Sequence, residues 1–492
     1  MSHNLASRRE FLRKATILSG SIGAAGVPLA FNLAAMNNAL AQTTGYKAIV
    51  CLFLYGGNDS ANMVLPTDTA SWTAYTTVRS TAPDPIALLA PGTAPNAAAA
   101  AASPAALGGV LPIVPNFTAF AENNARTFAL HPSMAEAQGL FTQGRLAVMA
   151  NTGPLIAPLT KAEYQANGSA KPRPPKLFSH NDQQSVWQAL APEGARVGWG
   201  GRFGDLVASN NSNTAFTNIS ASGNAVFMAG QSVFQYQVGG GGAVSIGGLT
   251  GNLFGSTAAA ASFRSIITAD NQHLFAKEHA LIVKRSVDAQ AAFQTAFNAS
   301  SVAAPAQYLQ PSTRANANNG LAAQLQTVAR IIGARAGLGV QRQVFFVSMG
   351  GFDTHDGQNR GHADLMARLS HALAYFDTTL NTMGMRDSVT LFTGSDFGRT
   401  FTSNGDGTDH GWGAHHFVLG GSALKGKEIY GRFPAVGLNH SDEVGSGSFL
   451  PVNSVDQLGA GLGKWFGLSD ANLDTVFPNL KNFQRDLGFI TA

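Results

Sequence analysis

Four short apolar runs limit what this chain can fold into: Lys47–Tyr55 (KAIVCLFLY), Leu146–Ala150, Val344–Ser348 (VFFVS) and Val389–Thr393 (VTLFT). A strand that is short and almost free of polar residues is buried on both faces, and such strands assemble into parallel sheets covered by helices. Three of the four end alike. KAIVCLFLY stops at GGNDS, VFFVS at MGGFDTH and VTLFT at GSDFGRT, so Asp59, Asp353 with His355, and Asp396 each follow a strand's carboxyl end. In an open parallel sheet that edge is where ligands bind.

Amphipathic patterns predict helices over Phe263–Phe297, Leu321–Ala336 and His362–Met383, and two C-terminal helices over Val455–Phe466 and Leu480–Leu487. Fold class is therefore α/β, a central, mostly parallel sheet with flanking helices. Two stretches interrupt the pattern. Residues 87–108 are an Ala/Pro/Gly tract too biased to carry chemistry, and residues 214–256 are short apolar pieces between glycines, which predicts a small Gly-rich β insertion.

Carboxylates and imidazoles at strand ends point to a metal. Asp353 and His355, two apart in extended chain, face the same side. Asp409, His410, His415 and His416 follow Asp396 within twenty residues. Such donors suit zinc, or zinc beside a harder divalent ion. Read blandly, the same residues are Gly/Asn/Asp turn chemistry in solvated loops. Ser179, just before a helical pattern, is either a nucleophile in front of a helix dipole or an ordinary cap, with Ser60 beside Asp59 as its rival. His131, His273, His279, His362, His371 and His440 read as packing or surface residues.

The amino terminus gives a destination. Paired arginines in SRREFLRK (Ser7–Lys14) precede a moderately apolar run ending at Ala39-Leu40-Ala41, the pattern of a twin-arginine export signal over residues 1–41, with residues 42–492 as a single domain. The expected location is periplasmic or secreted, with no transmembrane segment in the mature chain. Those charges supply +3 of the formal +4, leaving +1 on the remainder, so there is no basic footprint for nucleic acid. Cys51 stands alone, which excludes an intrachain disulfide.

With GGNDS, SHNDQQ, GGFDTH, SDFGRT and TDHG together, the chain resembles domain-of-unknown-function family 1501, itself similar to sulfatases and the alkaline phosphatase superfamily. The resemblance implies an alkaline-phosphatase-like three-layer sandwich with two divalent metals above the strand ends: zinc, or zinc with manganese, magnesium or calcium. Carried over, Asp59, Asp353, His355, Asp396, Asp409 and His410 form the metal set, with His415 in reserve. Ser179 becomes the nucleophile, and Arg399 the residue that neutralises an oxygen of a small anionic ester substrate. Phe397 stands where many relatives carry a histidine ligand. No Cys or Ser lies in a Cys/Ser-x-Pro-x-Arg frame, which excludes a formylglycine sulfatase. The implied function is hydrolysis of a phosphate or sulfate ester. The alternative is a non-catalytic envelope scaffold or binding protein, partnered with another exported protein encoded nearby. GGNDSAN lacks the third glycine of a dinucleotide fingerprint, which weighs against an oxidoreductase.

Overall fold

In the computed structural model, residues 45–166, 171–249 and 251–491 are described, and the export-signal reading of residues 1–41 lies outside them. From Tyr46 onward the chain forms a compact unit. Its sheet takes β1 (Lys47–Leu54), β2 (Leu146–Gly153), β3 (Asn218–Ser220), β4 (Tyr236–Gly239), β5 (Gly242–Ala243), β6 (Arg342–Met349), β7 (Val389–Ser395), β8 (Ala414–Leu419), β9 (Ile429–Tyr430) and β10 (Asn453–Ser454). The order is β9-β2-β8-β7-β1-β6-β3-β4-β5, with β10 also on β2.

The long apolar runs take the middle of the sheet, because only there are both faces covered. β1 pairs in parallel with β6 on one side and β7 on the other, and Leu54 lies level with Met349 and with Ser395. Three loops therefore leave one edge of the sheet together. β8 runs antiparallel between β7 and β2.

Each face of β1 feeds a separate layer. Ala48, Val50, Leu52 and Leu54 share a buried core with Leu325 and Val328 of the helix Gly320–Gly333 and with Leu369, Leu373 and Phe376 of the helix Gln358–Thr382. On the other face the packing is aromatic. Phe53 meets Trp187 of α1 (His180–Ala189) edge-on, and Phe392 stacks on Trp199 at 5.2 Å. Trp199 packs on Phe203, and Phe203 on Phe466. The result is the expected mixed α/β architecture, a large central sheet between helices.

Two local expectations change. The Gly-rich stretch 214–256 extends the main sheet: β3 pairs in parallel with β6, and Gly240-Gly241 is the two-residue turn of the β4–β5 hairpin. Near the carboxyl terminus, the second helix is Asp470–Val476 rather than Leu480–Leu487, where only one 3-10 turn forms. Ser469 caps it through Asn472 N, and Pro478 forces Phe477 out of helical geometry (φ −117°, ψ 80°). A further three-stranded antiparallel sheet, Val64–Pro66, Leu111–Ile113 and Phe128–Leu130, has no strong sequence signal.

Trp199 is 1% exposed and its indole N–H donates to Trp187 O at 3.0 Å, so Trp199→Ala leaves both a cavity and an unpaired carbonyl. The expected loss is about 3–5 kcal/mol of stability, measured by denaturant unfolding; a loss below about 1 kcal/mol would mean that this layer packs loosely.

Candidate metal centre

The site begins with a glycine. Gly56, at φ +116°, follows β1, and a Cβ on it would collide with the backbone of Phe352 and Asp353 in the loop after β6. That close approach brings Asp353 and His355 beside the end of β1. From β7 the chain passes Asp396 and turns back on itself, so that Arg399 and His410 form an antiparallel bridge. α1 enters from the side with His180 as its first residue and Ser179 as its cap position.

Three imidazoles converge on one carboxylate oxygen. Asp353 Oδ1 lies 3.1 Å from His355 Nε2, and 3.5 Å from both His180 Nε2 and His410 Nε2. His355 Nε2 and His410 Nε2 are themselves 3.0 Å apart. Donor atoms of His180, Asp353 and His410 all fall within 4.8 Å of one another. Metal–ligand bonds of 2.0–2.1 Å in a tetrahedral shell put neighbouring donors about 3.4 Å apart, so these separations have the scale of a coordination shell.

The other nitrogen of each ring fixes its tautomer. His180 Nδ1 lies 2.6 Å from Asp396 Oδ2, His410 Nδ1 lies 2.7 Å from Phe178 O, and His355 Nδ1 lies 3.1 Å from Asp409 Oδ1. All three partners accept, so each Nδ1 carries a proton, and in the neutral ring each Nε2 keeps a lone pair. His180 Nε2 is buried and has no hydrogen-bond partner. Lone pairs facing one another at 3 Å repel unless a cation lies among them, and ring N–H groups anchored on carboxylate or carbonyl are the usual support of a metal-bound imidazole. The donor set therefore fits a divalent ion.

Charge is arranged to match. The hydrogen bond that His180 donates to Asp396 raises the His180 pKa against partial burial, making the ring more basic, whereas burial lowers that of His410. Partial burial works against the Asp353 carboxylate, but the hydrogen bond and charge of Arg399, with His180 and His355, outweigh it and hold its pKa down. At 46% exposure the Asp353 side chain opens to solvent. Phe397 forms an apolar wall, its ring 4.8 Å from that of His180 and 4.6 Å from that of His410.

The sequence-predicted residues divide accordingly. Asp353, His355 and His410 meet. Asp396 and Asp409 touch the cluster through a histidine ring each, one step away from the Nε2 atoms. Asp59 is fully buried and paired bidentately with Arg79, at 2.6 and 2.9 Å. Arg399 is buried too, spending its guanidinium on Thr408, Gly56 O and Asp353 Oδ1, which leaves it to brace Asp353 rather than meet a substrate. Ser179 Oγ donates to Asp182 Oδ2 at 2.9 Å. His415 lies in β8, stacked on Phe433 at 4.3 Å and accepting from Asn151 N, so it belongs to the interior and not to the cluster around Asp353. Sequence reasoning missed His180. Its one signal is adjacency to Ser179 at a helix start, where a polar residue reads as part of the cap.

The family described as "Protein of unknown function (DUF1501)" matches residues 46–466, a span that takes in all four donors. The chain belongs to this family. A comparison with curated proteins found no match. Among solved structures, the chain is similar to the lipoteichoic acid synthase LtaP from Listeria monocytogenes, at 8% identity and TM-score 0.33 over 91% of this chain and 81% of that one. It is similar also to the alkaline phosphatase of the Antarctic bacterium TAB5, at 10% identity and TM-score 0.28 over 89% and 99%. A Bacteroides thetaiotaomicron protein from a glycosaminoglycan-metabolism locus aligns at 9% identity and TM-score 0.32 over 87% and 74%. Likeness at this level carries no residue correspondence.

Two outcomes test the local chemistry. Asp396→Ala frees the His180 ring and should weaken zinc binding about 10- to 100-fold, read by competition with a chromophoric chelator; unchanged affinity would remove Asp396 from the support of the site. His415 and His416 are each pushed down to about 3, by burial first and, for His415, next by its neighbour's charge. Below the unfolded value of about 6.5 the unfolded chain takes up protons that the folded one refuses, so stability present above that pH drains away on acidification. His416→Phe should flatten the fall between pH 6.5 and 5 by about 1.4 kcal/mol per pH unit, measured by urea unfolding.

Proposed function

We propose that this protein is an exported metal-dependent hydrolase acting on a phosphate or sulfate ester, with His180, Asp353, His355 and His410 holding the ion. The single observation that carries this reading is the convergence of three Nε2 lone pairs on a carboxylate while every Nδ1 proton is tied down. A divalent ion held by these four side chains would supply Lewis-acid polarisation of an ester oxygen and a more acidic bound water. Asp396, Phe178 O and Asp409 keep the three ring protons away from the reacting side. Arg399, itself fixed by Thr408 and Gly56, aims the Asp353 carboxylate. Phe397 keeps water off one flank of the His180 and His410 rings. With the Ser179 hydroxyl donating to Asp182, this reading takes water as the nucleophile.

Export by the twin-arginine route is part of the proposal and rests on SRREFLRK. No helix among the described residues is long and apolar enough to cross a membrane. One observation favours a second reading: Ser179 and Arg399, the residues the resemblance assigns to catalysis, are both committed to internal partners. A metal-holding envelope protein without turnover would have the same geometry.

Zinc-loaded protein should hydrolyse an aryl phosphate or aryl sulfate, lose activity on chelation and regain it with zinc. Asp353→Ala should cut the rate by more than about 100-fold, beyond an outer-shell loss. Metal-replete protein that turns over neither ester, nor an aryl phosphodiester, would leave the scaffold reading standing.

A further inference from the structure

We infer that a fixed guanidinium, that of Arg79, takes the place of a second metal ion, so the centre holds one ion per chain. This rests on the reading of the histidine cluster as a metal site and departs from the two-ion arrangement that the resemblance implies.

The argument starts at Asp59, the carboxylate at the end of β1. Its two oxygens accept from Arg79 Nη1 and Nη2, and Oδ2 accepts also from Gln358 Nε2 at 2.5 Å. A carboxylate offers roughly four acceptor positions, so little is left for an ion. Burial disfavours the charged form of Asp59, yet the charge and hydrogen bonds of Arg79 more than offset it and keep its pKa low.

Arg79 is built in, not lodged by chance. It ends the helix Thr69–Arg79, is fully buried, and lies over the rings of Phe401 and Tyr75 at 5.0 and 5.9 Å. Besides Asp59, its guanidinium donates to Phe401 O, Thr400 O and Asn62 Oδ1. A buried cation is tolerated only when its hydrogens are satisfied in this way. Space that a second ion would need beside Asp59 is filled by an organic cation of fixed charge.

The same pair braces the ion that remains. Gln358, bonded to Asp59, accepts from Thr408 Oγ1 at 2.6 Å; Thr408 accepts from Arg399, and Arg399 donates to Asp353. Arg79 is thus a positioning residue, five hydrogen bonds from a ligand oxygen. Among the described residues, the cluster around Asp353, made by His180 and His410 with His355 beside them, is the one place where such donors lie close enough together for an ion. Asp396, the other carboxylate in the implied set, gives Oδ2 to His180, Gln184 and Gly56 N, with Oδ1 alone unpartnered. Three imidazoles and one carboxylate favour zinc or a neighbouring transition ion over calcium or magnesium.

Stoichiometry decides. The full chain, stripped with a chelator, is titrated calorimetrically with Zn²⁺, then dialysed and assayed for metal per chain. One equivalent is expected, still one in Asp59→Asn, with affinity lowered at least 10-fold in His180→Ala. Arg79→Ser, which frees Asp59 and opens space, should lower the unfolding midpoint, regain it in millimolar zinc and take up a second equivalent. Two equivalents in the wild type, one of them lost in Asp59→Asn, would overturn the inference even if Arg79→Ser fails to fold. No bound zinc would instead sink the metal-site reading beneath it, whereas absent esterase activity leaves the count untouched.

Discussion

The register of β1 between β6 and β7 is the constraint from which the rest follows. Because Leu54, Met349 and Ser395 are level, the loops after three strands start at one height and have only a few residues in which to meet. Glycine makes the meeting possible: Gly56 lets the β1 and β6 loops touch, and Gly57 leaves room for the Phe397 ring. A one-residue slip of β1 would turn its Phe53 face toward the aliphatic core and lift Gly56 away from Asp353.

Around this edge the protein builds polarity in two tiers. The lower tier is closed: Arg79, Asp59, Asn62, Gln358 and Thr408 are buried and satisfy one another, which is the condition under which ionised groups survive in an interior. The upper tier, Asp353 with three imidazoles, is partly open to solvent, and within it His180 Nε2 has no hydrogen-bond partner. Arg399 joins the tiers. Charge is thereby fixed below and exchangeable above.

Much of the fold was legible because the information is local. Val344–Ser348 and Val389–Thr393 are apolar enough to be strands in any context, and the glycine and carboxylate after each mark an edge. The site was legible only in part. Asp353, His355 and His410, grouped by their motifs, do lie together, yet Asp59 looks like an equal partner until Arg79, twenty residues on, is seen to have reached it. His415 sits in a stretch, HHFVLGG, whose apolar end is a strand, and nothing in the pattern says that the strand already begins at Ala414 and takes both histidines inside. His180 is hidden by the opposite ambiguity, since SHND at the head of a helix looks like capping chemistry. In each case the missing fact is a tertiary partner rather than a propensity.

The carbonyl that holds His410 belongs to Phe178, which sits at φ +71°, and Lys176 nearby sits at φ +49°. Bulky L-residues enter the left-handed region at a cost of about 1 kcal/mol or more, so the approach to α1 is wound tighter than an ordinary connection. The orientation of the His410 ring is therefore held by a backbone wound against its own preference, so part of what shapes the cluster is stored in the chain that leads to it rather than in the imidazoles themselves.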